Sequence, residues 1–172
     1  MIDIVRCEVD EEIKSQGKKL GFSKVITCGD LKLVEGGTED KNRNYVSNKQ
    51  NDVLMNPELK SLKDKVHYRV SGLNQVLAKL AVNNDVAIGL GFSFVLNATG
   101  VERARILGRM RQNVKICQKI GTKMVVCSYA NNLKEMRGSK DLLAFARLIG
   151  MSGDEAKKSL NWKPNLKKVR QI

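Results

Sequence analysis

Short apolar runs rich in β-branched residues alternate with helical segments along most of this chain. The run from Asp85 to Leu90 is almost entirely apolar, which is typical of a strand covered on both faces. Apolar residues at helical spacing, Leu73, Leu77 and Leu80, precede it. Strands that alternate with helices pair in parallel, because each helix returns the chain to the same edge of the sheet. The pattern therefore predicts an α/β fold built on parallel strands.

Six strands are visible in this pattern, and a seventh would have to come from the C-terminal tail. Residues 58–71 are charged and lack clear periodicity, so we expect a loop or a marginal helix there. The predicted strands are 2–5, 24–28, 31–34, 52–55, 85–90 and 123–127. The predicted helices are 11–20, one that begins at Thr38, 73–81, 100–120 closed by Gly121, 139–149 and 152–160.

The length of 172 residues limits the architecture. A complete eight-unit barrel takes about 250 residues, so a TIM-barrel-like fold that is shortened or incomplete suits this chain better. An open doubly wound sheet is the competing architecture. In both cases we expect one domain over residues 1–172, with residues 161–172 as a basic C-terminal tail.

The net charge of +13 is unevenly distributed along the sequence. Residues 1–59 hold 9 Lys and Arg against 11 Asp and Glu, whereas residues 60–172 hold 22 against 7. Such an excess attracts polyanions. No apolar run reaches the roughly 18 residues of a membrane span, and the N-terminus lacks a signal-peptide pattern. We therefore expect a soluble, cytoplasmic protein that binds a polyanion and not a membrane.

Residues that bind metals are scarce. The cysteines Cys7, Cys28, Cys117 and Cys127 form no close pair of the kind used by zinc sites, and His67 is the one histidine. We expect the cysteines to be reduced and buried, and His67 to lie in a surface loop. This composition argues against a hydrolase built on a histidine-rich metal cluster.

A glycine motif follows one of the predicted strands. Gly89-Leu90-Gly91 invites comparison with a dinucleotide-binding loop, but Phe94 stands where the third glycine belongs. No helix is expected to open at Gly91. The motif therefore predicts a turn at the end of the strand.

The predicted helix 100–120 carries the strongest charge pattern. On a helical wheel, its apolar stripe faces away from an arc of five basic residues. Like charges four residues apart repel by about a few tenths of a kcal/mol, and a solvated face normally mixes signs. A polyanion-binding face is therefore favoured over a merely solvated one. The stripe consists of Leu107, Met110, Val114 and Cys117 with Ile106 beside it, and the basic arc of Arg105, Arg109, Arg111, Lys115 and Lys119.

Further basic residues lie near helix starts. Arg103 falls within the apolar stripe, so it would point into the mouth of the sheet or barrel, where α/β folds bind ligands. The alternatives are a snorkelling side chain or a buried pair with Glu102 or Asp141. Arg137 and Lys140 flank the start of the next helix. Aromatic residues make up only 5% of the chain, which favours backbone contact by Arg and Lys over base stacking.

Five segments together resemble the archaeal ribonuclease P protein component 3 family, the counterpart of the thirty-kilodalton subunit of the eukaryotic enzyme. The resemblance runs in the right order from Val34 to the C-terminus, and the first 33 residues match weakly. The chain is also shorter than is usual for this family, as if one βα unit near the N-terminus were missing. The segments are VEGGTEDKNRN (34–44), NDVLMNPEL (51–59), SGLNQVLAKLAVNNDVAIG (71–89), GVERARILGRMRQNVKIC (100–117) and RGSKDLLAFARLIGMSGDEA (137–156).

The resemblance implies a TIM-barrel-like fold related to metal-dependent phosphoesterases, without their metal ligands. It also implies a protein subunit of ribonuclease P, the endonuclease that removes the 5′ leader from precursor tRNA. In that holoenzyme the RNA subunit and its Mg²⁺ ions catalyse the cleavage, so this chain would carry neither catalytic residues nor a cofactor. It would pair with ribonuclease P protein component 2 as a two-plus-two assembly on the RNA. The candidate RNA contacts are Arg103, Arg105, Arg109, Arg111, Lys115, Arg137 and Lys140.

Two other functions stay open at the level of sequence. One is a barrel phosphoesterase-type enzyme that acts on a small anionic substrate. The other is a general RNA-binding protein outside ribonuclease P.

Overall fold

A computed structural model describes residues 1–58 and 64–164 of the chain. Strands and helices alternate through both parts, with single 3-10 turns at Cys28–Asp30 and Leu133–Glu135. The strands are β1 (Ile2–Val5), β2 (Lys24–Thr27), β3 (Leu33–Glu35), β4 (Val53–Met55), β5 (Ala87–Gly91) and β6 (Met124–Cys127). The helices are α1 (Glu11–Lys19), α2 (Glu39–Ser47), α3 (Gln75–Asn83), α4 (Phe92–Asn97), α5 (Gly100–Ile120), α6 (Ser139–Leu148) and α7 (Gly153–Leu160).

Short polar side chains fix where several helices begin. Asp10, Thr38, Asn74 and Ser152 each accept a hydrogen bond from a backbone N–H in the first turn of the helix that follows. These bonds satisfy N–H groups that have no partner within the helix. At the other end of α5, Gly121 has a φ of +79°, a left-handed conformation that glycine adopts without steric cost. The predicted end of this helix is confirmed.

Within the part of the chain that the structure describes, all the hydrogen-bonded strand pairs are parallel. One ladder joins β1 to β2, and a second runs β3-β4-β5-β6. The two ladders meet at β1 and β6, where Tyr129 N donates to Ile4 O (2.9 Å) and Arg6 N donates to Ala130 O (2.8 Å). Beside these bonds, the buried carboxylate of Asp3 accepts from Ser128 N (2.7 Å) and Ser128 Oγ (2.6 Å).

The strands curl around an apolar interior. Gly89 shows how closely this interior is filled, because a methyl group there would lie 2.6 Å from Met55 Sδ and 2.9 Å from Val53 Cγ1. A barrel filled by side chains is the arrangement of small α/β barrels. The inward residues include Ile4, Ile26, Val53, Met55, Ala87, Val125 and Cys127.

The barrel is incomplete between β2 and β3. Only residues 28–32 connect these two strands, and within the described residues no ladder joins them. Parallel neighbours in a sheet normally need a crossover of a dozen or more residues. The buried side chain of Leu31 joins the interior core at this point. The expected TIM-barrel-like, shortened architecture is therefore confirmed, and the chain does not form an open doubly wound sheet.

Three local predictions were wrong. A six-residue helix, α4, opens directly after Gly91, where we predicted only a turn. The strand predicted at 31–34 begins at Leu33, because Cys28–Asp30 forms a 3-10 turn and Leu31 follows it. Cys117 and Cys127 are buried, but Cys7 and Cys28 are only half-buried, although all four are free thiols as expected.

Other predictions concern the edges of the described region. His67 is exposed in a loop, as predicted. Residues 64–71 form no helix, whereas residues 59–63 of the same segment lie outside the described residues. The same holds for residues 165–172 of the basic tail and for a seventh strand there. Among the described residues, no helix is both long and apolar enough to cross a membrane.

The segment that follows β4 is anchored to α5 by polar side chains of that helix. Arg109 Nε donates to Asp64 Oδ1 (2.9 Å), and Arg109 Nη1 donates to the carbonyl of Glu58 (3.1 Å). Asn113 Nδ2 donates to Glu58 Oε2 and to the carbonyl of Ser71, each at 3.1 Å. Arg109 is only 5% exposed. Our placement of Arg109 on the solvent arc of the helix was therefore wrong, because this side chain is a buried anchor.

Glu58 is a buried carboxyl group within this anchor. Burial raises its pKa to about 8, although hydrogen bonds, including the one from Asn113, and the charge of Arg109 act in the opposite direction. The neutral acid is therefore the form that the fold favours at neutral pH.

The first prediction compares two arginines on the same helix. Arg109→Met leaves Asp64 and the Glu58 carbonyl without the buried guanidinium, so we expect the free energy of unfolding to fall by about 2–3 kcal/mol. Arg111→Met removes the same charge from an exposed position and should change it by less than about 0.5 kcal/mol. Urea unfolding followed by circular dichroism measures both. Equal losses in the two variants would contradict the anchoring role.

The second prediction concerns pH. The unfolded chain releases the Glu58 proton above pH 4.5 and the fold retains it up to about pH 8. This group therefore lowers the free energy of unfolding as pH rises through that window, by at most about 1.4 kcal/mol per pH unit. Glu58→Gln should remove this loss. The free energy of unfolding of the variant, measured by urea unfolding, should therefore rise relative to that of the wild type between pH 5 and pH 8. Burial raises the pKa of Asp3 to about 6. Asp3 therefore causes a similar loss of stability at lower pH in both the wild type and the variant. Parallel pH curves for the two proteins would show that Glu58 is ionised in the fold.

Candidate nucleic-acid interface

The outward face of α5 carries basic side chains of one sign. Arg105, Arg111, Lys115 and Lys119 are exposed, and the last three follow one another at four-residue spacing. The opposite face is buried through Ile106, Met110, Val114 and Cys117. Residues spaced three or four apart lie on the same side of a helix. The predicted basic face therefore exists with four of its five members, Arg109 being the exception.

A fifth cation reaches this face from another part of the chain. The guanidinium of Arg69 lies against Gly108 of α5, so closely that a methyl group at Gly108 would lie 2.7 Å from Arg69 Nε. Gly108 stands three residues from both Arg105 and Arg111. Arg69 therefore occupies the space between these two side chains and makes the positive strip continuous. We call the set Arg69, Arg105, Arg111 and Lys115 the basic strip.

The loop that carries Arg69 is held in place by hydrogen bonds to α5. Gln112 Nε2 donates to the carbonyl of Arg69 (3.0 Å) and to Ser71 Oγ (3.2 Å). Asp64 Oδ1 accepts from Val70 N (2.9 Å) as well as from Arg109. Burial opposes ionisation of Asp64, but these hydrogen bonds and the charges of Arg109 and Arg105 outweigh it and lower its pKa. An ionised Asp64 thus joins both ends of the loop to the helix.

Sequence reasoning missed Arg69. The residue lies in the charged segment without periodicity, and its contact with α5 spans almost forty positions along the chain, which no local pattern can predict. The sequence feature that could have indicated this contact is Gly108, a glycine inside a helix and three residues from both Arg105 and Arg111. Such a glycine often marks the close approach of another part of the molecule.

Arg103 does not take the place we predicted. Its Nε donates to the carbonyl of Ala98 (2.7 Å) and its Nη2 to the carbonyl of Leu96 (3.3 Å). The side chain is exposed and satisfies carbonyls at the end of α4, so it neither lines a mouth nor pairs with Glu102 or Asp141.

Arg137 and Lys140 lie apart from the basic strip. Arg137 Nη1 donates to the carbonyls of Lys134 and Met136, both at 2.8 Å, and Lys140 is exposed in the first turn of α6. Asn97 Nδ2 donates to Glu135 Oε1 (3.1 Å), which holds the loop before α6 beside the end of α4. The structure therefore brings Arg105, Arg111 and Lys115 together. Arg103 lies beside the end of α4, and Arg137 and Lys140 lie at the start of α6, where Ser139 N donates to the carbonyl of Leu20 (2.8 Å).

The carboxyl ends of the strands are where α/β barrels hold their catalytic groups. Here Arg6 pairs with Glu35 (3.3 Å), and its guanidinium lies 5.3 Å from the centre of the Tyr129 ring. The Tyr129 hydroxyl donates to Glu35 Oε1 (3.1 Å), and burial together with the Glu35 charge raises its pKa. Within residues 1–58 and 64–164, no three His, Cys, Asp or Glu side chains converge as a metal-binding group. The carboxyl ends of β1 and β3 thus hold an arginine–glutamate ion pair that is capped by Tyr129.

Comparison with known proteins identifies the family. The model of the ribonuclease P subunit p30 family matches residues 4–166. Ribonuclease P protein component 3 of Methanosarcina mazei is 37% identical over 135 residues, which cover 78% of this chain and 53% of that protein. The Methanocaldococcus jannaschii protein of the same name is 41% identical over 117 residues, 68% of this chain and 47% of that protein. The chain thus spans about half the length of these relatives.

A solved structure agrees with the sequence comparison. A chain in the structure of archaeal ribonuclease P with mature tRNA is 32% identical, with a TM-score of 0.66 over 93% of this chain and 64% of that chain. The fold and the resemblance seen in the sequence are both confirmed, and the chain belongs to the ribonuclease P subunit p30 family, whose archaeal members are named ribonuclease P protein component 3.

Proposed function

We propose that this chain is a protein subunit of ribonuclease P and supports the removal of the 5′ leader from precursor tRNA. Family membership supports this role, and the basic strip on α5 is the observation that carries the proposed RNA contact. Arg and Lys side chains that neutralise phosphates release counterions and lower the repulsion between RNA segments. Structured RNA is recognised largely through its shape and its phosphates.

Catalysis is assigned to the RNA subunit and its Mg²⁺ ions. This chain contributes no catalytic residue and no cofactor in the proposed scheme. Its part is electrostatic: it holds RNA segments close together around the catalytic ions. The Arg6–Glu35 pair supports this division of labour, because an ion pair occupies the carboxyl ends of β1 and β3, where barrel enzymes hold catalytic groups.

The proposed contacts fall into two groups. Arg69, Arg105, Arg111 and Lys115 form the main phosphate-binding strip, with Arg109 as the anchor beneath it. Arg103, beside the end of α4, and Arg137 and Lys140, at the start of α6, form a second group. Part of the hydrogen-bonding capacity of the two arginines is already taken by backbone carbonyls. We expect the first group to dominate RNA affinity.

The partners follow from the family. We propose that the chain acts as one domain in the cytoplasm and pairs with protein component 2 in a two-plus-two assembly. The N-terminal part, which carries almost balanced charges, is the proposed protein contact, and the basic strip is the proposed RNA contact.

Reconstitution tests the proposed function directly. Cleavage of precursor tRNA is measured with the RNA subunit and component 2, with and without this chain, over a series of Mg²⁺ concentrations. We expect the chain to raise the rate of cleavage and to lower the Mg²⁺ concentration that half-maximal activity requires. Unchanged activity and an unchanged Mg²⁺ requirement would reject the role in ribonuclease P. Direct binding of the chain to unrelated structured RNA with equal affinity would point instead to a general RNA-binding protein.

The third prediction concerns the basic strip. Replacing Arg105, Arg111 and Lys115 together by Ala should weaken binding to ribonuclease P RNA and flatten the dependence of log K on log salt by about two to three units, or 0.7–0.9 per phosphate contact. The matched control replaces Lys18, Lys19 and Lys24, three exposed lysines of the N-terminal part, and changes the net charge equally. Equal effects of the two triple variants would mean that only overall charge matters.

A further inference from the structure

The loop beside the basic strip ends in an exposed aromatic residue. Tyr68 is 61% exposed and Val66 is 94% exposed, which are high values for apolar side chains. The tip is closed by a hydrogen bond from Lys65 N to Tyr68 O (2.9 Å), and its base is closed by the bond from Val70 N to Asp64. Because hydrogen bonds close the loop at its tip and at its base, the loop holds Tyr68 exposed to solvent.

The side chains around Tyr68 indicate what it meets. Lys65, His67 and Arg69 are exposed in the same loop, and Arg105 is close enough to Asp64 to lower its pKa. Exposed apolar side chains that cluster on a surface mark interaction sites. An aromatic ring surrounded by cations matches a nucleic acid, which offers flat bases and negative phosphates together.

A groove lies next to Tyr68. Its volume is about 380 Å³, which is within the range of small-ligand sites. Its lining includes Tyr68, Arg69, Ser71, Asn74, Gln112 and Ile116. Glu39 also lines the groove and accepts a hydrogen bond from Asn74 Nδ2. The groove thus combines an aromatic residue, Tyr68, and an apolar one, Ile116, with the cation of Arg69, whereas the Nδ2 of Asn74 and the Nε2 of Gln112 already donate to other groups of the protein.

We propose that this groove binds one unpaired nucleotide of the RNA, with its base stacked on Tyr68 and its phosphate held by Arg69. Unpaired bases are the parts of structured RNA that can leave the helix and stack on aromatic side chains. The inference rests on the proposed function and deepens it: the basic strip binds phosphates of any sequence, whereas the Tyr68 groove selects places where a base is unpaired.

Three variants test the proposal. Tyr68→Leu keeps an apolar side chain but removes the aromatic face, and Tyr68→Phe keeps the face and removes the hydroxyl. With ribonuclease P RNA, we expect Tyr68→Leu to raise Kd about 5- to 100-fold and Tyr68→Phe to leave it within about threefold. Leu148→Ala, at an exposed residue of α6, is the control for loss of a surface apolar group and should leave Kd unchanged. Thermal unfolding of each variant checks that the fold is intact.

A pair of short RNAs gives a readout that a merely structural role for Tyr68 would not move. One is a continuous duplex, and the other is the same duplex with a single bulged nucleotide. The wild-type chain should prefer the bulged RNA, and Tyr68→Leu should abolish the preference while it keeps the affinity for the duplex and the salt dependence. A preference that survives in Tyr68→Leu would overturn the proposal.

The other outcomes separate this inference from the proposed function. If the triple variant of α5 weakens RNA binding but Tyr68→Leu does not, the strip binds RNA and the nucleotide site is rejected. If neither variant affects RNA binding, the proposed RNA surface itself fails. If Tyr68→Leu instead weakens binding to component 2 and leaves RNA affinity unchanged, the loop is a protein contact and the nucleotide site is again rejected.

Discussion

The bond between Arg109 and Asp64 is the interaction on which the candidate surface depends. It joins a buried guanidinium of α5 to a carboxylate 45 positions earlier in the chain. Asp64 in turn accepts from Val70 N, so the loop and the helix become one rigid unit. Together with the bonds from Gln112 to the Arg69 carbonyl and to Ser71 Oγ, these contacts hold Arg69 against Gly108, where it makes the basic strip continuous. The buried ion pair thus positions other charged side chains. This role does not require the pair to add net stability, which buried ion pairs often fail to do.

The barrel fold and the charged helix could be predicted from the sequence because their signals are local. The apolar strand at 85–90, the long helix at 100–120 and its glycine end all depend on neighbouring residues. The end of β4 also lies at a local turn signal, because Asn56, which takes a left-handed φ of +47°, is followed by Pro57. Element type follows from periodicity wherever a segment is strongly periodic.

The surface itself could not be predicted from local patterns. A helical wheel sorts charged residues to the outside, so it cannot reveal that Arg109 is buried by partners from a distant segment. The position of Arg103 was predicted wrongly for a similar reason. Its carbonyl partners are Leu96 in α4 and Ala98 directly after it, and we predicted no helix at that point of the chain. Gly108 was the one local sign that something approaches α5, and only the structure shows that this is Arg69.

The gap between β2 and β3 has a consequence for how the chain folds. Among the described residues, no backbone ladder joins β2 to β3, so the backbone hydrogen bonds that connect β1 and β2 to the other strands lie at β6, and Asp3 bonds to a residue 125 positions later. Contacts of such sequence separation form late, because a long loop must close before they add any stability. During synthesis, the N-terminal strands leave the ribosome long before β6 exists. We therefore expect the four-stranded ladder and its helices to assemble first, and β1 to dock beside β6 last.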